Sequence, residues 1–440
     1  MAVVVSTIGA CAESSEAING SGATFPQQFQ AWASSAYNRQ SGSLVLYANP
    51  GGGSSKGKSD FKSGLNDFGG TDSAVSESQR PDFDWAYVPY VGGAIAVTYR
   101  LDELSGATLS LSPSTLAGIF SGEIARWNDP RIVSDMRSAS PWSNSAFRSA
   151  TTGIAATMHN ISPNRAEVTV LLAPTSLRRL VGQDVQVSDS TRGTAVRAAI
   201  TNGEVVLPVT TGKSSRFVVE VDGVQVAVFE RTEVALPDRG ITIVYRQDGS
   251  GTTNNLCKYL THVTAGKWQI SDAFTSCVPG GSQQIASFGS RFQGQNGSAN
   301  LSNYLSNTNG AIGYAEVSYA LDTFRRSRGM SVSHVQNAAG GFVPPTATAA
   351  SAFLSGSEMD DEGFVTFNYD QPTNELGYPI VAITYALVRT EANPKNEAVK
   401  QYLRWIIDEF APANAAALGY VALTGELRER ALAQTAKIGS

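Results

Sequence analysis

The sequence predicts an α/β protein that is interrupted by a segment made of strands. Short apolar runs alternate with helix-like stretches over about 18–136 and again from 237 onwards, an order typical of α/β architecture. Between them, from about 137 to 236, closely spaced period-two runs separated by turn residues indicate an all-β insertion. The chain has 440 residues, which is enough for two or three domains.

The first α/β stretch carries strand and helix signals in alternation. The run SLVLYA (43–48) predicts a strand, and SDFKSGLNDF (59–68) predicts a short helix that follows a glycine-serine run. Another strand is predicted at 94–101. The stretch 112–127 has apolar residues at helical spacing and starts with Ser and Thr residues that can cap a helix.

The predicted insertion is clearest at its end, where RFVVEVDGVQVAVFERTEV (216–234) places period-two runs on both sides of Asp222-Gly223. This arrangement predicts a β-hairpin with a two-residue turn. The Ser-rich stretch 137–153 before the strands and the stretch from Pro237 to Gly240 after them are predicted to be linkers.

After the insertion the alternation of strands and helices resumes. Thr252 or Thr253 is the predicted N-cap of the next helix. The predicted elements are a strand at 241–245, a helix from near Asn254, a helix and a strand within 299–321, a strand at 378–388 and, within 394–423, an amphipathic helix that ends in an Ala/Gly-rich turn.

The composition limits the classes of function. Only 16% of the residues are charged, against about 25% in typical soluble domains, a profile more typical of secreted, envelope or virion proteins than of cytosolic enzymes. The net charge of −5 argues against a broad nucleic-acid-binding face. The sequence contains no run of 18 apolar residues, so no membrane-spanning helix is predicted.

The histidines give no reason to expect a metal ion. His159, His262 and His334 are scattered along the chain, and none has a Cys or carboxylate at ligand spacing. No cofactor is expected either.

The cysteines are of two kinds. Cys257 and Cys277 lie in one region and form either a disulfide or two buried thiols. Cys11 ends the run Ile-Gly-Ala-Cys, which has the form of a lipoprotein cleavage site, so it is a candidate lipid anchor and 1–17 a tether or signal remnant. Ten residues without Lys or Arg are too few for an export signal, so either the start lies upstream or the protein is not exported by that route.

The stretch PGGGSSKGKSDF (50–61) contains Gly52-x-x-x-x-Gly57-Lys58-Ser59, which is the Walker A pattern of nucleotide hydrolases. Such an enzyme also needs an acidic residue at the end of an apolar strand. The two candidates, Asp222 and Asp408, are better explained by a hairpin turn and by an amphipathic helix. The nucleotide reading is therefore disfavoured.

The same backbone N–H and hydroxyl donors suit a small oxyanion better than a nucleotide. Three stretches rich in backbone N–H groups and hydroxyls lie at strand-to-helix junctions: 20–26, 51–57 and 246–253. The third adds Arg246, whose planar guanidinium suits a tetrahedral oxyanion, and Asp248, which can hold that guanidinium in place. Together the three stretches predict an oxyanion site.

These stretches carry a family resemblance. INGSGATFPQQFQAWASSAYN, YANPGGGSSKGKSDFKSGLNDFGGTDSAVS and ITIVYRQDGSGTTNNLCKYL resemble motifs of the phosphate-binding proteins of bacterial phosphate-specific ABC importers, the PstS family. The likeness covers roughly 18–136 and 237–430. Carried over position by position, the phosphate ligands implied by the resemblance are Thr24, Phe25, Ser54, Asp72, Arg246, Asp248, Ser250, Gly251 and Thr252.

The resemblance implies how phosphate is recognised. Ser54 is expected to donate its hydroxyl at a helix start, while Lys58 and Ser59 become ordinary surface residues of that helix. Asp72 is expected to accept the proton that phosphate retains at neutral pH, which excludes sulfate. The implied activity is binding, with no catalysis.

The resemblance also implies a two-lobe periplasmic-binding-protein fold of type II, closing by hinge motion. Lobe 1 is expected at 18–90 and 379–440, lobe 2 at 91–136 and 237–378, and the insertion at 137–236. The expected partners are inorganic phosphate and the importer's permease, in the periplasm or at the outer face of the cell envelope.

The insertion departs from the family pattern and leaves an alternative open. It is either a surface elaboration or an interaction domain that attaches the protein to a cell surface or a virion. In the second case the chain is a surface or phage structural protein with a retained phosphate-binding fold.

Overall fold

The computed structural model describes residues 17–48, 52–104, 107–139, 142–144, 153–162, 165–212, 215–231, 235–320 and 322–439. The candidate lipid anchor Cys11 and nearly all of the predicted tether lie outside these ranges. Within them, no helix is both long enough and apolar enough to cross a membrane.

The described chain alternates strands and helices, as expected. The strands are β1 (Ile18–Gly22), β2 (Val45–Ala48), β3 (Phe68–Thr71), β4 (Trp85–Arg100), β5 (Ser110–Leu111), β6 (Trp142–Asn144), β7 (Ile154–Ser162), β8 (Arg165–Leu172), β9 (Asp184–Asp189), β10 (Thr194–Ala199), β11 (Glu204–Thr210), β12 (Arg216–Val221), β13 (Val224–Arg231), β14 (Thr242–Arg246), β15 (Phe292–Gln295), β16 (Ala311–Glu316), β17 (Met330–Val332), β18 (His334–Gln336), β19 (Phe342–Val343), β20 (Glu358–Met359), β21 (Val365–Thr366) and β22 (Val381–Arg389). The helices are α1 (Gln27–Ser41), α2 (Gly53–Lys62), α3 (Pro113–Phe120), α4 (Pro130–Ala139), α5 (Pro174–Leu180), α6 (Gly251–Val263), α7 (Phe274–Cys277), α8 (Gly281–Ser287), α9 (Gly297–Asn307), α10 (Val317–Ala320), α11 (Thr323–Ser327), α12 (Ala347–Leu354), α13 (Asn396–Trp405), α14 (Ala411–Asn414) and α15 (Gly425–Ala436).

The long, buried strand β4 joins two halves of one extended sheet with the order β15-β14-β16-β4-β22-β3-β1-β2. Its first part, up to Ala94, pairs with β22 in antiparallel fashion. Its second part, from Ile95 onwards, pairs with β16. The change of partner confirms a two-lobe α/β architecture. On this basis we propose 18–90 with 379–440 as lobe 1 and 91–136 with 237–378 as lobe 2.

Four strand-to-helix junctions position the candidate site. In lobe 1, the parallel strands β1 and β2 lead into α1 and α2. In lobe 2, the parallel strands β14 and β15 lead into α6 and α9. Ligands of open α/β sheets bind beyond the carboxyl ends of parallel strands, which is where these helices begin.

The helix predicted at 59–68 begins earlier than expected. Gly52 and Gly53 have φ of +92° and +54°, which lets the chain turn into α2 within the glycine-serine run. Gly57 lies inside the helix because a Cβ there would be 2.2 Å from the carbonyl oxygen of Gly70 on β3. Close packing on the sheet therefore outweighs the low helix propensity of glycine.

The helix expected from near Asn254 also begins earlier, at Gly251. Its N-cap is Ser250, whose hydroxyl accepts a hydrogen bond from the N–H of Thr253 at 3.2 Å, so the predicted caps Thr252 and Thr253 lie inside the first turn.

The described residues between 142 and 231, which we call the β-rich segment, contain two further sheets. Their strand orders are β11-β8-β7 and β10-β9-β12-β13-β6, and a separate group of buried apolar side chains lies between them. The predicted hairpin is confirmed, with Asp222 and Gly223 at φ of 52° and 72° between β12 and β13.

Two details of the predicted insertion are wrong. Its start at 137 falls inside helix α4, which continues to Ala139, and the segment contains the short helix α5, so it is not all-β. Its status as an inserted domain at about 137–236 stays a proposal.

The β-rich segment contacts both lobes. The guanidinium of Arg178 lies 5.5 Å from the ring of Trp32 in lobe 1. The imidazole rings of His159 and His334, the latter in lobe 2, are 5.9 Å apart.

Cys257 on α6 and Cys277 on α7 form a disulfide with a Cα–Cα distance of 6.0 Å. The bond links the middle of α6 to the end of α7, and the loop between these two helices carries Ser271 to Ala273. It therefore restrains that loop against lobe 2.

Candidate anion-binding site

The predicted site residues of both lobes meet in one cleft. Nη1 of Arg246 donates to Oγ1 of Thr24 at 2.9 Å, across the two lobes. A Cβ at Gly251 would lie only 2.4 Å from Oγ of Ser54, so the α6 loop of lobe 2 touches the α2 terminus of lobe 1. The four helix N-termini converge on this point, where their backbone dipoles favour negative charge.

Arg246 ends strand β14, and its side chain is only 1% exposed. Its Nε donates to Oδ1 of Asp248 at 2.7 Å, and its Nη2 donates to Oδ2 of the same carboxylate. Burial opposes ionisation of both groups, but their mutual contact outweighs it, so the pKa of Arg246 is raised and that of Asp248 is lowered. The pair therefore stays charged and fixes the guanidinium plane.

Asp72 follows strand β3 and lies beside the start of α2. Its backbone N–H donates to Oγ of Ser54 at 3.1 Å, and that hydroxyl also lies 3.4 Å from Oδ2 of Asp72. Thr384 on β22 donates to Oδ1 at 2.7 Å. Burial raises the pKa of Asp72 to about 7, although Thr384 and Arg246 act in the opposite direction. This carboxyl group can therefore hold or release a proton near neutral pH.

The α6 loop supplies hydrogen-bond donors. The hydroxyl of Ser250 accepts from the helix but keeps its own hydrogen for a ligand. Gly251 and Thr252 lie in the first turn, where N–H groups have no acceptor within the helix. Oγ1 of Thr252 is buried and has no hydrogen-bond partner among the described residues.

Thr24 and Phe25 lie between β1 and α1. Besides Arg246, Oγ1 of Thr24 contacts Oγ of Ser298 at 3.1 Å. The carbonyl oxygen of Phe25 accepts from the hydroxyl of Tyr420 at 2.7 Å, and the two rings pack edge to face at 5.6 Å. These contacts fix the backbone that leads into α1.

Sequence reasoning missed several residues at the site. Ser298, at the start of α9, accepts from Nη1 of Arg246 at 3.1 Å, and the neighbouring Gly297 donates its N–H to Asp248 at 2.9 Å. The Gly-Ser pair between a strand and a helix is the same signal as in the three predicted stretches and could have been found.

Glu316 on β16 was also missed. Its side chain is buried beside Ser298, whose hydroxyl acts to lower its pKa. Burial raises its pKa to about 8, although Arg246 acts in the opposite direction, so the group is mainly neutral at pH 7. No local signal in its strand marks it.

The prediction that Lys58 is an ordinary surface residue is wrong. Its side chain is 2% exposed, and its Nζ lies 2.8 Å from Oδ2 of Asp272. The face of α2 that carries it packs against lobe 2, which the sequence of the helix alone does not show. The next residue, Ser59, is exposed as predicted.

All nine predicted ligand positions thus line or support one buried cleft. The cleft offers hydroxyl and amide donors, one fixed positive charge and one carboxyl group of nearly neutral pKa. Such a set suits a small tetrahedral oxyanion that carries a proton.

Comparisons with known proteins agree with this geometry. The family model described as the PBP superfamily domain matches residues 9–174 and 225–409. The phosphate-binding protein PstS of Xylella fastidiosa strain 9a5c is 24% identical over 413 residues, covering 93% of this chain and 82% of the relative. PstS of Pasteurella multocida strain Pm70 is 23% identical over 437 residues, covering 99% of this chain and 94% of the relative. The resemblance to PstS proteins is confirmed.

Solved structures show the same fold. A DING protein superimposes with a TM-score of 0.58 at 17% identity, covering 94% of this chain and 93% of that chain. A human phosphate-binding apolipoprotein superimposes with a TM-score of 0.57 at 18% identity, covering 94% and 93%. With the two-lobe sheet and the family match, these findings mean that the chain belongs to the PBP superfamily and has the type II periplasmic-binding-protein fold.

Proposed function

We propose that this protein binds inorganic phosphate in the cleft between its lobes and serves as the substrate-binding component of phosphate import. The observation that carries the proposal is the buried guanidinium of Arg246. Asp248 holds it through Nε and Nη2, while its Nη1 faces hydroxyl groups from both lobes. A charge-assisted contact held in this way suits a tetrahedral oxyanion.

The remaining contacts are expected from neutral donors. Hydroxyl groups of Thr24, Ser54, Ser250 and Thr252 and N–H groups of Phe25, Gly251 and Thr252 surround the proposed ligand position. The unpartnered hydroxyl of Thr252 supports this arrangement, because a buried donor without a partner is costly unless a ligand or water satisfies it.

Asp72 is proposed to select phosphate over sulfate. One proton can be shared between its carboxylate and a protonated phosphate oxygen. Sulfate carries no proton at neutral pH and would place two acceptors against each other. A buried contact of this kind costs several kcal/mol, so sulfate binding requires Asp72 to take up a proton, which becomes harder as the pH rises above about 7.

Calorimetric titration of the purified protein with phosphate tests the proposal. One phosphate per chain is expected, and Arg246→Met should lower the affinity at least about 100-fold, because a charge-assisted bidentate contact is lost. Arg239→Met is a matched control, since Arg239 pairs with Glu103 at the surface of lobe 2. Equal effects of the two substitutions would contradict the assignment.

The same proposal makes the protein a receptor without catalytic activity. It would deliver phosphate to the permease of an ABC importer, in the periplasm or at the outer face of the cell envelope. The names of the relatives support this role. Binding of phosphate-loaded protein to importer-containing vesicles, reduced by excess free receptor, is the expected result.

A surface or virion structural role is the second candidate. It is favoured by the β-rich segment, which has two sheets and its own apolar core, and of which 175–224 lies outside the family match. In that case the segment would mediate attachment. Finding the protein in purified particles would support this role, whereas release by osmotic shock would support the importer role.

A further inference from the structure

We propose that Lys58 and Asp272 form an interlobe clamp that determines how tightly the closed protein holds phosphate, although neither belongs to the ring of ligand groups. The inference rests on the proposed function. It also gives a role to the lysine of the Walker-like stretch, which the proposed phosphate site does not use.

Two groups of its own lobe hold the ammonium group of Lys58. Its Nζ lies 3.1 Å from Oγ of Ser73 and 3.0 Å from the carbonyl oxygen of Ala74, both in lobe 1. The third contact is with Oδ2 of Asp272, in lobe 2, at 2.8 Å. An ammonium group has three hydrogens, so these three acceptors satisfy it completely.

Asp272 is fixed by lobe 2 in the same way. Its Oδ1 accepts from Nδ2 of Asn254 at 3.0 Å, and its carbonyl oxygen accepts from the N–H of Ser250 at 2.9 Å. The hydroxyl of Ser55, in lobe 1, adds a second interlobe contact to Oδ2 at 3.0 Å. Burial opposes ionisation, but Lys58 and hydrogen bonds from Ser73 and Ser55 keep the pKa of Asp272 below its usual range.

Both partners sit on rigid supports. Helix α2 packs closely against the sheet of lobe 1 through the contact between Gly57 and Gly70. The loop with Asp272 lies between α6 and α7, which the Cys257–Cys277 disulfide joins. Opening the cleft therefore breaks the contact with Asp272 while leaving the ammonium group with its lobe 1 partners.

The location relative to the site makes the contact specific to closure. Lys58 lies one helical turn after Ser54, and Asp272 contacts the backbone of Ser250. The ion pair is thus beside the proposed phosphate, because Lys58 lies on α2, which supplies Ser54, and Asp272 lies in a loop that contacts the backbone of Ser250. Because each charge is fully hydrogen-bonded, the closed arrangement gains the attraction without leaving a buried charge unsatisfied.

The test compares Lys58→Met, Asp272→Asn and the double variant with the parent by calorimetry and by stopped-flow release of phosphate. Each single substitution is expected to raise the Kd about 10- to 100-fold, through faster release, with the preference for phosphate over sulfate unchanged. The Kd of the double variant should rise by less than the product of the two single-variant increases, because the two residues share one interaction.

Lys56→Met is the matched control. Lys56 lies on the same helix, but its side chain is 40% exposed and pairs with Asp60 within α2. Removing it takes away the same charge without an interlobe contact, so phosphate release should stay at the parent rate. Release from Lys58→Met at the parent rate, or equal effects of the Lys56 and Lys58 substitutions, would overturn the clamp.

Small-angle X-ray scattering without phosphate separates failure of the clamp from failure of the proposed function. The parent should be more compact than Asp272→Asn, whose side chain has the same shape but no charge. If the parent binds no phosphate but is still more compact than Asp272→Asn, the proposed function is refuted and the clamp is supported. Equal radii of gyration for the two proteins would overturn the clamp.

Discussion

Arg246 and Thr24, 222 positions apart in the chain, meet across the cleft with Nη1 2.9 Å from Oγ1. One residue ends a strand of lobe 2 and the other precedes the first helix of lobe 1. Neither lobe alone provides both groups, so the complete site exists in the closed arrangement. Ligand binding and lobe closure are therefore coupled, and groups that affect closure should affect affinity.

Asp72→Asn should weaken the discrimination between phosphate and sulfate. The amide is nearly isosteric but brings its own hydrogens, so it can donate to sulfate, which the carboxylate cannot. Measured at pH 8, where Asp72 is mainly ionised, the selectivity should fall about 10-fold. Competition titrations of both proteins measure it, with Asp67→Asn as a control outside the cleft. A variant that rejects sulfate as well as the parent refutes the role of Asp72.

Sulfate binding should increase on acidification. The pKa of Asp72 is raised to about 7, so below that pH the carboxyl group becomes a hydrogen-bond donor. The ratio of sulfate Kd to phosphate Kd should therefore fall between pH 8 and pH 5.5. In Asp72→Asn the ratio should change much less. Sulfate affinity that is constant over this range in the parent would argue against a titrating Asp72.

Gly251→Ala should prevent full closure. An added Cβ would lie 2.4 Å from Oγ of Ser54 and 2.7 Å from Cβ of Asp72, closer than real contacts allow. Phosphate affinity should fall about 10- to 100-fold, since steric overlap of this kind typically costs about 1–3 kcal/mol. Gly240→Ala is the control, because a Cβ there meets nothing within 4 Å. Equal affinities of the two variants would contradict the tight interlobe contact.

The parts of the site that could be predicted are those whose residues lie close together in the sequence. Arg246 and Asp248 share one loop, and the spacing of Ser54 and Asp72 follows a pattern, so their residue types could be read together. The partner of Lys58 lies 214 positions away in a stretch without a motif. Thr384 lies within an apolar strand, where a lone threonine is not a functional signal. Contacts between distant segments depend on how the lobes meet.

Some predicted helix boundaries were wrong for a similar reason. Helix α2 begins at Gly53 because the glycines allow the helix to approach β1 and β3 closely, an effect that local propensity does not contain. Conversely, the Asp222-Gly223 hairpin was predictable because two adjacent residues determine its turn.

Replacing Cys257 and Cys277 together by alanine should lower stability. The disulfide closes a loop with a sequence separation of 20, for which the chain-entropy account gives about 3 kcal/mol. A Tm several degrees below that of the parent is expected in thermal unfolding. Reductant should lower the Tm of the parent to a similar extent and leave the variant unchanged. No effect of reductant on the parent would contradict a structural disulfide.

Acid should loosen the contact between the β-rich segment and lobe 2. Burial lowers the pKa of His159 to about 4, and burial together with His159 lowers that of His334 to about 3. Below pH 6.5 the unfolded chain binds more protons than the folded one, so stability falls with pH from 6.5 towards 4. At pH 5.5 the loss is roughly 3 kcal/mol for the two residues. The Tm of the parent should therefore drop more between pH 7 and 5.5 than that of His334→Asn, and identical drops would refute the mechanism.

Equilibrium dialysis with labelled phosphate, competed separately by excess sulfate and by ATP, tests the central claim most directly. The account predicts one bound phosphate per chain that neither competitor displaces, because the cleft holds a small protonated oxyanion and excludes nucleotides. Displacement by ATP would favour a nucleotide site at the Walker-like stretch. Absence of phosphate binding would contradict the receptor function and direct attention to structural partners of the β-rich segment.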